Sequence, residues 1–235
     1  MFNGKLKAVT FSYDDGVTQD IRLLEILNKY GLKCTFNLNS EKFGMIGMYD
    51  YITEDGIKVK RDMVERNEVA TIYKGHEVAA HTLTHPNLTE IDDDEVIRQV
   101  EIDRQNLSEI VGYEVKGMAY PGGGTNHNNR VISLIKRHTG IEYARTTSSN
   151  ERFDLQTDLL KFKPTLYHKN ISRLFELADE FLNLKTDTPK IFYIWGHSYE
   201  FDENDTWDVF EDFCKLISGH DDIYYGTNSQ ILLNK

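Results

Sequence analysis

The segment FSYDDGVTQD, Phe11–Asp20, ends a run of apolar and β-branched residues with two adjacent aspartates and a glycine. Adjacent carboxylates repel each other, so Asp14 and Asp15 need a compensating cation or a turn. Two such groups suit hydrolysis, because one can ligate a metal ion while the other accepts a proton from water that the ion has acidified. The alternative is an ordinary loop in which Asp14 caps a turn through its own backbone.

A second pair of chemical groups lies in HTLTH, where three residues separate His81 from His85. Two histidines and a carboxylate from another strand form a facial set that leaves positions open for water and substrate, as in catalytic zinc and non-haem iron sites. Pro86 disfavours helical backbone at His85, which predicts a turn. A lone His-x-x-x-His is weak evidence, but together with Asp-Asp-Gly at a neighbouring strand end it favours a metal site.

Short apolar runs alternate with helical periodicities about seven times along the chain. The predicted strands are Leu6–Ser12, Lys33–Leu38, Glu77–Ala80, Val115–Tyr120, Ile141–Thr146, Lys190–Trp195 and Asp222–Tyr225. Buried parallel strands read as short continuous apolar runs, and the intervening stripes predict helices, two of which end at Gly31 and Gly112. The pattern favours an α/β fold with a closed or nearly closed (β/α) barrel of about seven parallel strands over an open doubly wound sheet.

The whole chain, residues 1–235, is predicted to form a single domain, since its length fits one α/β barrel. One segment departs from the βα alternation, residues 41–62, which contains three glycines and predicts an inserted loop and hairpin after the second strand. The shape of the substrate pocket would depend on such loops.

In a parallel α/β barrel the functional groups collect at the carboxyl ends of the strands. Polar or aromatic groups follow the first, third, fourth and sixth predicted strands, so we expect them to meet at one rim. These groups are Asp14 and Asp15, His81 and His85, Tyr120 and Pro121, and Trp195 and His197.

Composition excludes several classes of partner. The net charge is −11 and no Lys/Arg block is present, so nucleic acid is a poor candidate. No run approaches the length of a membrane span, and the N-terminus has no signal-peptide pattern, so we expect a cytoplasmic protein with no membrane partner. Cys34 and Cys214 are predicted to be free buried thiols. The oligomeric state is left open.

The motifs together resemble the NodB-homology polysaccharide deacetylases, carbohydrate esterase family 4, whose fold is a distorted (β/α) barrel. SYDDG is similar to the Asp-Asp-Gly motif of that family, which implies Asp14 as the catalytic base and Asp15 as a metal ligand. HTLTH is similar to its His-(Ser/Thr)-x-x-His motif, which implies His81 and His85 as the other two ligands. The resemblance covers most of the chain in motif order.

The late motif WGH also resembles the family. It implies His197 as the general acid and Trp195 as part of the pocket for the acetyl methyl group. The family also pairs its histidine with an Asp-x-x-x-Asp-Trp motif that has no clear equivalent here. Asp154 and Asp158 are the candidate partners for orienting His197.

The fourth predicted strand departs from the family pattern. Many members carry Arg-x-Pro-Tyr-Gly there, whereas this chain reads AYPGG, with Ala119 in place of the arginine and Tyr120 beside it. Gly122 takes the tyrosine position, where its backbone N–H can still serve an oxyanion. Arg145, at the end of the fifth strand, is the candidate replacement for the missing charge. Tyr120, Gly122, Arg145 and Trp195 are therefore the expected substrate-binding residues.

The resemblance implies a metal-dependent hydrolase that removes acetyl groups from N-acetylated sugars. The expected cofactor is one divalent ion, with Zn²⁺ favoured and Co²⁺, Ni²⁺, Mn²⁺ or Fe²⁺ as alternatives, because two histidines and a carboxylate accept all of them. The alternatives in function are hydrolysis of another C–N bond in a small amide or ureide, and a carbohydrate-binding barrel with impaired catalysis.

The other histidines are expected to have no functional partner, and aromatic residues are mostly assigned to the core. Tyr199 and Phe201 are the preferred candidates for stacking on sugar rings, because they follow His197. The histidines without an assigned role are His76, His127, His138, His168 and His220.

Overall fold

Parallel strands wound into a distorted barrel position the candidate residues. The computed structural model describes residues 1–47 and 50–233. Its strands are β1 Lys7–Asp15, β2 Cys34–Leu38, β3 Tyr51–Ile52, β4 Lys58–Val59, β5 Glu77–Ala80, β6 Gly117–Ala119, β7 Tyr143–Arg145, β8 Leu166–Tyr167, β9 Lys190–Gly196 and β10 Ile223–Tyr225. Seven of them follow the order β7-β6-β5-β2-β1-β9-β8, all in parallel pairs, and β10 pairs with the first half of β1.

Residues 162–166 bridge the two edges of this sheet. The Phe162 amide donates to the Ala144 carbonyl of β7 at 3.0 Å, and the Thr165 amide donates to the Tyr193 carbonyl of β9 at 2.8 Å. Backbone groups that would form exposed edges are thereby paired. The predicted distorted (β/α) barrel is confirmed, and the open doubly wound sheet is wrong.

The helices are α1 Asp20–Lys29, α2 Val69–Ile72, α3 Asp93–Val111, α4 Asn129–His138, α5 Ile171–Asn183, α6 Tyr199–Asn204, α7 Trp207–Ile217 and α8 Asn228–Leu232, with 3₁₀ turns at Phe2–Gly4 and Leu159–Lys161. Five of them (α1, α3, α4, α5 and α7) lie where the periodicities predict them, whereas the short helices α2, α6 and α8 were not predicted. The longest, α3, begins where the Asp92 side chain accepts from the Glu95 amide, and it ends at Gly112 with φ 77°, a left-handed position that favours glycine.

The core lies between the sheet and the helices around it. β1 is buried along its length, and Phe11 contacts Phe210 and Phe213 of α7 edge to face, with ring centroids 6.2 and 6.3 Å apart. The carboxyl ends of β1 and its neighbours are thus held by closely packed side chains. Among the described residues, no helix combines the length and apolarity that crossing a bilayer requires.

The segment predicted as an insertion contains a short antiparallel hairpin, in which β3 pairs with β4. The C-terminal end of the inserted segment contacts α6. There the Arg61 guanidinium lies 4.0 Å over the Tyr199 ring and forms an ion pair with Glu203. Met48 and Tyr49, inside the same segment, lie outside the described residues.

Candidate metal and catalytic site

Three side chains from the carboxyl ends of β1 and β5, which lie on either side of β2, form a cluster suited to a metal ion. Asp15 ends β1, while His81 and His85 follow β5. The Asp15 Oδ1 atom lies 3.7 Å from His81 Nε2 and 3.6 Å from His85 Nε2, and all three ligand atoms lie within 4.8 Å of one another. Two imidazole nitrogens and one carboxylate oxygen make a donor set for a catalytic transition metal.

The hydrogen bonds of this cluster fit an ion better than they fit a self-contained network. Asp15 Oδ1 is buried and has no hydrogen-bond partner within the described part of the chain. His81 Nδ1 donates to the Ala119 carbonyl at 2.9 Å, which leaves the Nε2 lone pair directed at the aspartate. A buried carboxylate oxygen without a donor is costly, so a cation between these atoms would satisfy it.

The backbone at this site adopts a conformation that is rare outside glycine. Asp15, Thr82 and His85 have φ values of 81°, 70° and 66°. The left-handed region is strained for such residues and persists where neighbouring contacts hold it. Here Thr82 Oγ1 accepts from the His85 amide at 3.1 Å, and the buried Asp103 carboxylate accepts from the His81 amide at 3.0 Å. His85 therefore lies in non-helical backbone, consistent with the restriction that Pro86 imposes.

The same environment sets the protonation of the cluster. Burial lowers the pKa of His81 to about 4 and also lowers the pKa of His85. Burial acts in the opposite sense on Asp15, but His197, His81 and His85 outweigh it and lower the pKa of Asp15 to about 2. At neutral pH all three groups are in the protonation state that metal binding requires.

Asp14 lies beside the cluster and is held at both oxygens. Asn37 Nδ2 donates to Asp14 Oδ1 at 2.8 Å, and Arg145 Nη2 donates to Asp14 Oδ2. Asp14 is 2% exposed and Arg145 is fully buried. Arg145 of β7 is the register partner of Ala119 of β6. The family motif carries its arginine at the position of Ala119, so the arginine of this chain lies at the same height along the sheet but on the next strand.

The role of Asn37 was missed by the sequence analysis. Asn37 is the register partner of Asp14 in the β1–β2 ladder, so the two side chains project from adjacent positions on neighbouring strands. The only available signal was the alignment of the two strands, which a single sequence does not reveal.

His197 faces Asp14 from the end of β9. Its Nε2 atom lies 3.9 Å from Asp14 Oδ2, and its Nδ1 atom lies 3.2 Å from Glu200 Oε2. Burial alone would lower the pKa of His197, but the hydrogen bond to Glu200 and the nearby carboxylates raise it to about 9. His197 is therefore a cation at neutral pH.

The predicted orienting partners of His197 are wrong. Asp154 forms an exposed ion pair with Lys190 at 2.6 Å, and Asp158 precedes the 3₁₀ turn Leu159–Lys161. Within the described part of the chain, no hydrogen bond or ion pair joins either aspartate to His197. Glu200 takes the position instead, because α6 begins two residues after the histidine and its first turn brings residue i+3 back against the ring.

His168 is a further correction, since the sequence analysis gave it no partner. It is 1% exposed, and its two ring nitrogens lie 2.8 Å from the Tyr13 hydroxyl and 2.9 Å from Glu200 Oε2. His76, by contrast, accepts from the Cys34 amide at 3.2 Å on the opposite side of the barrel, as expected of a structural histidine.

The expected substrate-binding residues are placed unequally. The Trp195 ring lies 4.4 Å from the Arg145 guanidinium and stacks on Tyr167 with centroids 4.4 Å apart, so it lies beside the Asp14–Arg145 pair. The Tyr120 side chain is fully buried and donates to the Leu160 carbonyl at 2.9 Å, which does not leave it free to contact a ligand. Gly122 lies three residues after Ala119, whose carbonyl accepts from His81. The space around the α-carbon of Gly122 is open.

Comparison with known proteins matches these motifs. The model of the family described as polysaccharide deacetylase matches residues 3–144. A peptidoglycan-N-acetylglucosamine deacetylase from Bacillus cereus is 30% identical over 120 residues, which is 49% of this chain and 36% of that protein. The matched region therefore spans about a third of the curated relative.

Solved structures match the fold. A putative polysaccharide deacetylase from Mycobacterium smegmatis superposes with a TM-score of 0.62 at 15% identity, covering 98% of this chain and 90% of that one. A family 4 carbohydrate esterase from Streptomyces lividans, in complex with acetate, gives 0.54 at 14% identity over 91% and 88%. The family model covers more than half of the chain, including Asp14, Asp15, His81 and His85, so this protein belongs to the polysaccharide deacetylase family.

Proposed function

We propose that this protein hydrolyses the acetamide group of N-acetylated sugars with one bound divalent ion. The observation that carries this proposal is the convergence of an unpartnered Asp15 oxygen on two imidazole nitrogens, with a second buried carboxylate alongside. An ion held by Asp15, His81 and His85 would supply a Lewis acid that acidifies water and polarises an amide carbonyl. Zn²⁺ is the proposed metal, and this donor set also accepts Co²⁺, Ni²⁺, Mn²⁺ and Fe²⁺.

Asp14 is the proposed general base. Its Oδ2 atom lies 4.0 Å from His81 Nε2 and 3.9 Å from His197 Nε2, so it lies between the metal ligands and the opposite wall of the site. The hydrogen bonds from Arg145 and Asn37 fix the direction of the carboxylate. A carboxylate oriented beside the ligands is placed to take a proton from water.

His197 is the proposed general acid. Its raised pKa keeps it protonated at neutral pH, and its Nε2–H faces the same space as Asp14. Cleavage of an amide requires a proton on the departing nitrogen, because an amide anion is a very poor leaving group. Two groups with opposite protonation states on either side of one site make a base and acid pair.

Trp195 and Gly122 are the proposed contacts for the acetyl group. Trp195 offers an aromatic wall beside Arg145, suited to a methyl group, and the Gly122 N–H is the proposed donor to the oxyanion. Tyr120 is left with a structural role, supporting this strand end through its hydroxyl bond to Leu160.

The test is acetate release from N-acetylglucosamine oligomers by purified protein loaded with Zn²⁺. Asp14→Asn should retain the metal and lose at least about 10³-fold in kcat, within the range for loss of a general base. Asp154→Asn, an exposed carboxylate paired with Lys190, is the matched control and should keep wild-type activity. Full activity in Asp14→Asn with the metal bound, or ammonia release in place of acetate, would contradict the proposal.

A further inference from the structure

One buried carboxylate is shared by two histidines. Glu200 is 5% exposed, and its Oε2 atom lies 2.9 Å from His168 Nε2 and 3.2 Å from His197 Nδ1. The same oxygen accepts from the His197 backbone amide at 3.1 Å. The side chain of His197 and its backbone are thus tied to a single atom.

The other contacts of Glu200 come from three consecutive residues at the end of β8, Tyr167–Lys169. Tyr167 donates its hydroxyl to Oε1, His168 lies against Oε2, and Lys169 Nζ lies 3.5 Å from Oε1. His168 is fixed in turn by the Tyr13 hydroxyl on β1, one residue before Asp14. Because the Glu200 carboxylate can only accept, the proton of the neutral His168 ring is on Nε2 and points at Glu200, which leaves Nδ1 to accept from the Tyr13 hydroxyl.

We propose that Glu200 is the positioning residue of His197, and that the segment Tyr167–Lys169 holds Glu200 for this task. Glu200 accepts from His197 Nδ1–H and so directs Nε2–H into the site. The inference rests on the proposed function, in which His197 is the acid. It assigns the task to α6 and the end of β8, where no sequence motif indicated it.

The charges around this group are consistent with an anionic Glu200. Burial opposes ionisation, but the hydrogen bonds from His168 and His197 hold the pKa of Glu200 well below its usual value. The groups facing His197 are Asp14 from β1 at 3.9 Å, the Tyr167 hydroxyl at 3.5 Å and the stacked Tyr199 ring with its centroid 5.1 Å away. Glu200 differs from these three groups because it places an ionised acceptor next to Nδ1 of His197.

The first experiment separates proton donation from every other function of the site. Glu200→Gln should lower kcat for N-acetylglucosamine oligomers about 100-fold with little change in KM, because the acid is misdirected. The same variant should lose less than about 3-fold on p-nitrophenyl acetate, since nitrophenolate departs without a proton. Glu176→Gln, an exposed carboxylate paired with Arg173, is the control. Equal losses on both substrates, or none on the amide, would overturn the proposal.

The second experiment does not depend on turnover. In ¹⁵N spectra of histidine-labelled protein at neutral pH, both ring nitrogens of His197 should carry a proton in the wild type, and the Nδ1 signal should shift in Glu200→Gln because its acceptor has lost its charge. An unchanged His197 signal would overturn the proposal. If the wild type cleaved neither substrate, the proposed function would fail while these spectra still decided the role of Glu200.

A second variant protects the test against misfolding. If Glu200→Gln does not fold, His168→Asn removes one charged hydrogen bond to Glu200 and leaves the carboxylate in place. It should show the same preference for the ester, with about a 10-fold loss on the amide. Glu200→Asp, which keeps the charge on a shorter side chain, should recover part of the amide activity, and equal losses on both substrates in these variants would also contradict the proposal.

Discussion

Arg145 and Asp14 form a buried ion pair between strand ends that are not neighbours in the sheet. Arg145 ends β7 and Asp14 lies near the end of β1, with β6, β5 and β2 between them in the strand order. The side chains are 0% and 2% exposed. Burying two charges has a large desolvation cost, so such a pair is weak evidence for stability and better evidence for a functional site.

Arg145→Met should lower both activity and stability. Leaving Asp14 buried without its cation should reduce the free energy of unfolding by about 3–5 kcal/mol. The Asp14 carboxylate would also lose the donor that fixes the direction of Oδ2, so kcat for acetate release should fall. Denaturant unfolding and acetate release measure the two effects. Arg137→Met, on the exposed end of α4, is the control, and an unchanged kcat in Arg145→Met would contradict the assigned pairing.

Arg145→Lys tests whether the shape of the cation matters. A lysine keeps the charge but loses the planar fork and the face that covers Trp195. We expect an activity between those of the wild type and Arg145→Met. Activity equal to the wild type would show that charge alone suffices.

The sequence predicted the frame of the molecule because its signals are local. Six of the seven predicted strands lie within two residues of β2, β5, β6, β7, β9 and β10 at both ends, and the predicted first strand lies within three residues of β1. The strand β8 was missed because two residues carry no periodicity, and residues 162–166 pair through contacts far apart in sequence. Short strands of this kind are set by tertiary contacts and not by propensity.

The site divides in the same way. The aspartate pair and the two histidines belong to local motifs, and the structure brings their ligand atoms together. Asn37, Glu200 and His168 reach the site only through strand register or the first turn of α6, so spacing along the chain did not reveal them. Asp154 and Asp158 were chosen by type and order alone, and that reasoning failed.

His85→Gln should remove most of the metal affinity. Zn²⁺ at 100 times its Kd should stabilise the wild type by about 2.7 kcal/mol through mass action. The variant should gain far less at the same concentration, because one of three ligands is missing. Thermal melts with and without Zn²⁺, together with calorimetric titration of the chelated protein, measure this. His138→Gln, at the exposed end of α4, should respond as the wild type does, and an undiminished Zn²⁺ response in His85→Gln would exclude it as a ligand.

Asn37→Leu should lower kcat about 10-fold and leave metal binding intact. The substitution removes the donor that holds Asp14 Oδ1, and a hydrogen bond to a charged group contributes about 1.5–3 kcal/mol. Asn37→Asp should be more harmful, since it places a like charge against Asp14. Acetate release and Zn²⁺ titration are the two measurements. Asn183→Leu, exposed at the end of α5, is the control, and a matching loss of metal affinity in Asn37→Leu would show a general collapse of the site.

Asp20 should make the protein less stable as the pH rises. It is fully buried at the start of α1 and accepts from Ser198 Oγ at 2.6 Å and Tyr73 Oη at 2.7 Å. Burial raises the pKa of Asp20 from 3.8 to about 7, and its two hydrogen bonds reduce that effect only in part. Between these values the folded state holds a proton that the unfolded state has lost. The free energy of unfolding therefore falls by about 1.4 kcal/mol per pH unit for this group.

Asp103, whose pKa burial also raises to about 7, acts with the same sign, whereas His76 and His81, whose pKa burial lowers to about 4, act with the opposite sign over this range. Asp20→Asn should therefore make the slope of stability against pH more positive than that of the wild type by up to about 1.4 kcal/mol per pH unit. Denaturant unfolding of the chelated protein between pH 4.5 and about 6.5 measures it, below the range in which His197 titrates and above that of Asp15. Asp94→Asn, an exposed carboxylate in the first turn of α3, is the control and should keep the wild-type slope. A slope in Asp20→Asn equal to that of the wild type would mean that Asp20 is already ionised in the folded protein.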